Sequence, residues 1–308
     1  MIIVTGGDAA YFTLIQELIA SIAAAAPGRP PAIGVIDAGL TAEQAGTLTA
    51  AGVRVVTIPP LSGRAARAQQ ARPALAANLG KPWLDRLFPG FETILWLDAD
   101  TWVQEWAAIE LLVGAAARGA LAIVPGSGRY WEKTMDIRWV WGGMFGGLGQ
   151  VRSFNFKNGR NARLPRAICR EIGTRAQLNA GAYALRTDAP HWEAMRRWQA
   201  EVLRHGRVFT SDQMALALAV YIDRLAVELL PTWCNYIRPW KVDAAAGKLV
   251  EFYYPYRPVG IVHMAGLNAM RGDAAVRMAV PGIDDRSYQV NLRYGLFQRM
   301  LAEAGGTT

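Results

Sequence analysis

The first 125 residues alternate between short apolar runs and segments in which apolar residues recur every three or four positions. The apolar runs predict strands at 2–4, 32–36, 53–58, 93–97 and 120–124. One helical stripe between the first two strands consists of Leu14, Ile15, Leu18, Ile19 and Ile22. Thr41 and Gln44 form a capping box that predicts the start of a second helix. Strands that alternate with helices favour a mostly parallel sheet with helices on its faces.

Residues 126–175 differ from the first part, because they contain many glycines and show little periodicity. A long irregular stretch inside a compact domain is typical of a lid, a binding loop or disorder, so we interpret it as a lid-like segment. Its large apolar side chains have two possible roles: they either stack on sugar rings or are buried in a satellite core. They are Tyr130, Trp131, Trp139, Trp141, Met144 and Phe145.

Regular patterns return after this segment. We predict strands at 177–185, 225–230 and 260–263 and helices at 190–203 and 214–221, the second capped by residues 210–213. No internal repeat and no linker composition divides the chain, so residues 1–308 are predicted to form a single domain. Within that domain we separate residues 1–125, 126–270 and a C-terminal extension, 271–308.

The central predicted strand, 93–97, is followed by two acids, Asp98 and Asp100. In an extended backbone residues i and i+2 point to the same face, so we expect the two carboxylates to converge. Converging carboxylates repel unless a cation or a proton lies between them, and a hard divalent ion suits such a site. Ligands of open α/β sheets bind at the carboxyl ends of the strands. The alternative is that these acids merely end a strand and cap the next helix.

Composition and charge narrow the classes of function. Of the 308 residues, 52% are apolar and 19% charged, which is enough for a sizeable core. The formal net charge of +8 favours anionic partners, but no nucleic-acid-binding motif is present. Cys169 and Cys234 are not in metal-binding spacing and suit a reducing compartment. Without a signal peptide pattern or a membrane span, we expect a cytoplasmic protein.

Several short motifs, in one order along residues 1–266, resemble those of the family 8 glycosyltransferases. Each motif is weak by itself, whereas the ordered set is specific. The matched positions are Asp8 and Tyr11 after the first strand, Asp98-Ala99-Asp100, Asn179-Ala180-Gly181, Asp212-Gln213, Leu230-Pro231 before Asn235, and His263 with Gly266.

The resemblance implies an α/β GT-A-type nucleotide-diphospho-sugar transferase fold with a mostly parallel central sheet flanked by helices. Residues 1–125 would be the nucleotide-sugar-binding half and residues 126–270 the acceptor side. The implied activity is a retaining transfer of a hexose, glucose or galactose, from a UDP-sugar to a glycan or glycolipid. It would depend on Mn²⁺, with Mg²⁺ as the second choice.

The resemblance also implies roles for individual residues. Asp98, Asp100 and His263 would hold the metal, and an imidazole ligand shifts the preference from magnesium toward manganese. Residues near the transferred sugar would be Asn179, Asp212 and Gln213. Residues contacting the donor would be Asp8 and Tyr11 at the uracil, with Lys81, Ala180, Gly181 and Gly266.

The chain departs from the family at two places. Three residues after the glycine of the histidine motif, the family often has a lysine that binds the diphosphate, and this chain has Ala269 there. Arg271 is expected to bind the diphosphate instead. The acid that often follows the Asp-Gln pair is replaced by Met214.

Asp212 is the one acid we nominate near the anomeric carbon. We favour attack on the same face as the leaving group, with Asp212 orienting the donor sugar and Gln213 binding a hydroxyl.

Other interpretations are kept open. One is a UDP-sugar-binding protein with weak or absent transfer activity, and another is a metal-dependent phosphohydrolase, although Trp102 departs from the motif of that class. The aromatic and basic residues of 233–257 suit either peripheral contact with the inner face of a membrane or ordinary packing at the rim of the site. A lipid-linked saccharide is one acceptor that such contact would serve. The donor hexose, the acceptor and the oligomeric state stay open.

Overall fold

A computed structural model of the chain describes residues 1–58, 63–126, 135–141 and 148–305. Its strands are β1 (Ile2–Gly7), β2 (Ala32–Asp37), β3 (Arg54–Thr57), β4 (Thr93–Leu97), β5 (Thr101–Val103), β6 (Leu121–Pro125), β7 (Met135–Trp141), β8 (Leu148–Ser153), β9 (Leu178–Arg186), β10 (Val227–Leu229), β11 (Trp240–Asp243), β12 (Lys248–Glu251), β13 (Ile261–His263), β14 (Met278–Pro281) and β15 (Ser287–Val290).

The helices are α1 (Phe12–Ala25), α2 (Ala42–Ala50), α3 (Gly63–Ala71), α4 (Leu75–Gly80), α5 (Leu84–Leu87), α6 (Ala107–Ala117), α7 (Phe154–Asn161), α8 (Arg166–Gly173), α9 (His191–His205), α10 (Ser211–Tyr221), α11 (Asn268–Gly272) and α12 (Leu296–Gly305). Short 3₁₀ turns cover Ala9–Tyr11, Lys81–Trp83 and Thr232–Cys234. Among the described residues, no helix combines the length and the hydropathy that a membrane crossing requires.

The central sheet has seven strands in the order β10-β6-β9-β4-β1-β2-β3. All its strands are parallel except β9, which runs antiparallel to both β4 and β6. The expected α/β fold with a mostly parallel sheet and flanking helices is therefore confirmed. Because β9 is reversed, its first residues lie at the same edge of the sheet as the last residues of β4, and the amide of Asp98 donates to the carbonyl of Gly181.

The two faces of the sheet bury alternate residues of the same strands. Ile2 and Val4 of β1 belong to a core that includes apolar residues of α9 and α10. Ile3 points the other way and packs in a second core with residues of α1 and α6. This alternation is what a strand covered by helices on both faces requires.

Residues 271–305 pack against the first part of the chain. Leu14 of α1 and Trp102 of β5 share a third core with residues of β14, β15 and α12. The indole of Trp102 donates to the carbonyl of Leu292 at 2.8 Å. Arg293 donates to both carboxylate oxygens of Glu17 in α1, with N···O distances of 2.6 to 3.1 Å. The division of the chain at residues 125 and 270 stays a prediction.

The prediction of an irregular segment at 126–175 is wrong for much of its length. β7 and β8 pair as an antiparallel hairpin, and α7 and α8 follow. The side chain of Ser153 caps α7 by accepting from the amide of Phe156. Tyr130, Trp131, Met144 and Phe145 lie outside the described residues, and the lid-like role stays a prediction.

Gly6 and Gly7 are the last two residues of β1. A Cβ on Gly6 would lie 2.9 Å from Cβ of Ile36, and one on Gly7 would lie 2.8 Å from Cβ of Tyr11. Close packing against neighbouring elements therefore explains these glycines.

Residues 233–257 include both buried and exposed aromatic side chains. Trp233, Tyr236 and Trp240 are buried, which fits ordinary packing, whereas Tyr253 and Tyr254 are 47% and 79% exposed.

Candidate functional site

A cavity of about 540 Å³ opens at the carboxyl edge of β1 and β4. Gly6 and Gly7 line it from the end of β1, and Asp98 and Asp100 line it from the chain that follows β4. The start of β9 contributes Asn179, Ala180 and Gly181. The cavity thus lies where ligands of open α/β sheets are expected.

Asp98 and Asp100 converge, but the extended backbone predicted for them is wrong. β4 ends at Leu97, and the amide and hydroxyl of Thr101 both donate to the carbonyl of Asp98, at 3.0 and 2.7 Å, which closes a turn. The chain leaves this turn as β5, where Thr101 pairs with His263 of β13. One potential ligand atom from each of Asp98, Asp100 and His263 lies within 4.8 Å of the others.

The His263 imidazole is held from behind by Asn235. Its Nδ1 lies 2.9 Å from the amide oxygen of Asn235 and its Nε2 lies 3.5 Å from Oδ1 of Asp100. Because an amide oxygen only accepts, Nδ1 carries a proton and Nε2 is the nitrogen that faces the carboxylates. Burial lowers the pKa of His263, but the Asp100 carboxylate outweighs burial and raises it above its ordinary value.

The backbone of Gly181 makes room for this imidazole. A Cβ at position 181 would lie 2.2 Å from Cε1 of His263, far inside van der Waals contact. The Gly181 amide is fixed by a 3.0 Å hydrogen bond to Oδ1 of Asn179. The Asn-Ala-Gly sequence therefore supplies a surface on which the imidazole rests.

Asp100 is buried between His263 and Arg271. Arg271 donates from Nη1 to Oδ2 of Asp100 and from Nη2 to Oδ1 of Asn268, and its guanidinium lies 5.7 Å from the ring centre of Tyr11. Burial alone would raise the pKa of Asp100, but the two neighbouring cationic groups hold it well below its usual range. Arg271 and Tyr11 both line the cavity.

Lys81 is buried and bonded entirely to protein groups. Its Nζ lies 3.0 Å from Oδ1 of Asp98, 2.8 Å from Oδ2 of Asp212 and 3.0 Å from the carbonyl of Ala180. Burial lowers the pKa of Lys81, but the two carboxylates outweigh it and raise that pKa above its ordinary value. An ammonium group has three protons, and these three acceptors use them all. A hydrogen bond from Lys81 to a bound sugar nucleotide would require one of these three bonds to break.

Trp96 is a site residue that the sequence analysis did not single out. Its Nε1 donates to Oδ1 of Asp98 at 2.7 Å, and its ring lies 4.8 Å from Nζ of Lys81. Trp96 stands two positions before Asp98, so the alternation of a strand could have placed the two side chains on one face.

Asp212 and Gln213 line the cavity and carry polar atoms that no described residue satisfies. Oδ2 of Asp212 accepts from Lys81 and from Nδ2 of Asn78, the latter at 3.2 Å. Oδ1 of Asp212 and Nε2 of Gln213 are buried without a partner among the described residues. Buried polar atoms in that state are suited to bind hydroxyl groups of a ligand.

The predicted cap of α10 is wrong. The helix begins at Ser211, and Thr210 makes no side-chain capping bond because its backbone is left-handed, with φ of 74°. Ser211 and Asp212 are therefore in the first turn of the helix rather than ahead of it.

Asp8 is the one predicted site residue that does not line the cavity. Its Oδ1 accepts from the amide of Ala10 at 3.1 Å and caps the short 3₁₀ turn that leads to Tyr11. Ala180 and Gly266 do line the cavity, and Gly266 adopts a positive φ of 80°. Lining residues that the sequence analysis did not single out include Arg72, Asn78, Gln177, Phe209 and Asn268.

The chain resembles known proteins in its structure. No protein-family model matches the sequence, and no curated protein matches it. A galactosyltransferase, LgtC, solved with donor and acceptor sugar analogues, is similar with a TM-score of 0.55 and 16% identity, over 100% of this chain and 97% of that chain.

Two further solved structures are similar over much of this chain. Mouse xyloside xylosyltransferase 1 gives a TM-score of 0.50 and 11% identity over 86% of this chain and 97% of its own. The glycosyltransferase GlyE of Streptococcus pneumoniae gives 0.50 and 14% over 99% of this chain and 63% of its own. The chain therefore has the fold of these glycosyltransferases, which is the fold that the family 8 resemblance implied.

Proposed function

We propose that this chain is a glycosyltransferase that moves a hexose from a UDP-sugar to a glycan or lipid-linked saccharide with retention of configuration. The observation that carries the proposal is the convergence of Asp98, Asp100 and His263 beside a cavity at the carboxyl edge of this fold. Similarity to solved glycosyltransferases supports the same class of reaction.

The three residues fit a divalent cation. Nδ1 of His263 is occupied by Asn235, which leaves Nε2 facing the carboxylates, and Gly181 provides the space that the imidazole needs. Oδ1 of Asp98 is likewise occupied by protein donors. Two carboxylates with one imidazole suit Mn²⁺ better than Mg²⁺, so we propose manganese. When bound, the ion would neutralise the charge that develops on the diphosphate leaving group.

The remaining residues of the cavity have roles in binding and orientation. Tyr11 offers a ring to the uracil base at the mouth of the cavity, and Arg271 offers two donors to the diphosphate. Asn179, Asp212 and Gln213 surround the hexose. Since Oδ2 of Asp212 is held by Lys81 and Asn78, its unpartnered Oδ1 is the oxygen that accepts from a sugar hydroxyl.

The transfer step that we propose is attack on the face from which the leaving group departs. The acceptor hydroxyl oxygen bonds to the anomeric carbon while the bond from that carbon to the diphosphate oxygen breaks. Both events occur on one face of the sugar, and the hydroxyl proton passes to the departing phosphate. Asp212 holds the donor sugar in the orientation that this attack needs.

Calorimetric titration of UDP, with and without Mn²⁺, tests the proposal. We expect micromolar binding that requires both Mn²⁺ and Asp100, so that Asp100→Ala abolishes the metal-dependent part. Asp188→Ala is the matched control, because Asp188 is exposed and pairs with Arg186. Donor hydrolysis is then measured with UDP-glucose and UDP-galactose. Failure to bind UDP under any condition would overturn the proposal, and binding without hydrolysis or transfer would favour a UDP-sugar-binding protein.

A further inference from the structure

We propose that Trp96 and Lys81 are positioning residues that hold Asp98 by one oxygen and link it to Asp212. The proposed metal position beside Asp98 and the proposed sugar position beside Asp212 are thereby kept at a fixed distance from each other. The inference rests on the proposed function, because it assigns Asp98 to an ion and Asp212 to the transferred sugar. It also replaces the predicted role of Lys81 as a ligand of the donor.

Both donors meet the same oxygen of Asp98. Nε1 of Trp96 lies 2.7 Å from Oδ1 and Nζ of Lys81 lies 3.0 Å from it, whereas no described residue donates to Oδ2. The Asp98 side chain is 31% exposed, so packing alone does not fix its rotation. Two donors on one oxygen fix that rotation and leave Oδ2 as the atom presented to the cavity.

The donors themselves are held rigidly. Trp96 and Lys81 are 1% and 2% exposed, and the ammonium group lies 4.8 Å from the centre of the indole ring. A cation close to an aromatic ring is attracted by its electron density, more so when both are shielded from water. The remaining protons of Lys81 bind the Ala180 carbonyl and Oδ2 of Asp212.

One ammonium group therefore bridges two carboxylates with different proposed tasks. Asp98 lies after β4, and Asp212 lies in the first turn of α10. Without a shared cation these two groups would repel each other. With it, a displacement of either carboxylate disturbs the other, so the ion and the sugar are held at a constant separation.

Trp96→Phe tests this inference without changing any charge in the site. The substitution keeps an aromatic ring near Lys81 and removes the donor to Asp98, together with some ring volume that the control variant also loses. Loss of a donor that orients a metal ligand typically weakens metal affinity by about 10- to 100-fold. We expect the affinity for Mn²⁺, measured by calorimetry in the presence of UDP, to fall about 10-fold.

Trp192→Phe is the matched control. Trp192 is also 1% exposed, and its Nε1 donates at 2.8 Å to a protein oxygen, the carbonyl of Arg186, away from the cavity. Both variants lose one buried indole hydrogen bond, so their melting temperatures should fall by similar amounts. Only Trp96→Phe should bind Mn²⁺ more weakly.

Nuclear magnetic resonance of the wild-type protein provides a readout that does not depend on the variant's stability. Titration with Mg²⁺ and UDP should shift the assigned indole N–H resonance of Trp96, because its acceptor oxygen belongs to a metal ligand. The Trp192 resonance should stay unchanged.

The outcomes separate this inference from the proposed function. Wild-type protein that binds neither Mn²⁺ nor UDP overturns both. Wild-type binding combined with Mn²⁺ affinity within about twofold for Trp96→Phe, or an equal loss in Trp192→Phe, overturns the positioning role alone. An unshifted Trp96 resonance in a protein that binds the metal also overturns it.

Discussion

Arg271 donates a hydrogen bond to Oδ2 of Asp100, which is one of the three residues placed to hold a cation. The guanidinium thus neutralises a carboxylate that a divalent ion would also use. Arg271 is in α11, lines the cavity and lies beside the ring of Tyr11. It is therefore near the proposed positions of both the ion and the diphosphate.

We predict that Arg271→Gln has opposite effects on the two ligands. Without UDP, Mn²⁺ should bind about three- to tenfold more tightly, because the competing ion pair with Asp100 is gone. With Mn²⁺ present, UDP should bind about 10-fold more weakly, because a charge-assisted hydrogen bond to the diphosphate is lost. Calorimetric titrations in both orders measure the two affinities. A decrease in both affinities would show that Arg271 supports the site without competing for Asp100.

Gly181→Ala should disrupt the metal site. A methyl group 2.2 Å from Cε1 of His263 forces the imidazole away from the carboxylates, so Mn²⁺ affinity should fall at least about 10-fold. Gly114→Ala in α6 is the control, since a Cβ there meets no atom within 4 Å. That change should leave metal affinity unchanged and stabilise the protein by about 0.5–1 kcal/mol. Unaltered Mn²⁺ binding by Gly181→Ala would mean that His263 is not a ligand.

Asp212→Asn should separate binding from turnover. The variant keeps the size of the side chain but weakens the contact with the sugar and with Lys81, so donor hydrolysis or transfer should slow about 100-fold. UDP affinity should change less than about threefold, because the amide oxygen of Asn can still accept from Lys81 and we place this residue at the sugar rather than at the nucleotide. Asp223→Asn, which alters an acid paired with Arg197 and Trp198 just after α10, should leave both quantities unchanged. Near-normal turnover by Asp212→Asn would remove Asp212 from any essential role.

Arg293→Met should destabilise the whole chain. Arg293 is 8% exposed, and its guanidinium donates to both carboxylate oxygens of Glu17. Loss of the guanidinium therefore leaves the largely buried Glu17 unpaired. The expected cost is about 2–3 kcal/mol in the free energy of unfolding by urea. Arg204→Met, which removes an exposed pair with Glu201, should cost less than about 1 kcal/mol. Equal costs would show that the Arg293–Glu17 pair contributes no more to stability than an exposed ion pair.

The sequence predicted the alternating α/β part of the fold well because periodicity is a local property. The capping box of Thr41 and Gln44, for example, is present in α2. Reversal of β9 was not predictable from its own residues, since an apolar strand reads the same in either direction. The helices α7 and α8 were missed because Gly159 and Gly173 weaken their helical pattern, although both glycines pack against side chains of the neighbouring helix.

The candidate site was predictable in its residue types more than in its contacts. Asp98, Asp100 and His263 were expected to meet, and they do, although a turn rather than an extended strand joins the two acids. The saturation of Lys81 by three protein acceptors depends on α10 and β9, which are remote in sequence. No local pattern contains that information.

The pairing of β5 with β13 determines where His263 meets Asp100. Thr101 pairs with His263, and the amide of Met264 donates to the carbonyl of Asp100 at 2.9 Å. Because side chains alternate along a strand, a slip of one residue would turn the imidazole to the opposite face. Register, rather than distance along the chain, therefore sets the spacing of these groups. Loops in the long part of the chain between β5 and β13 are free to lengthen or shorten during evolution without altering the geometry of the proposed metal ligands, as long as the three residue pairs that join β5 to β13 stay aligned.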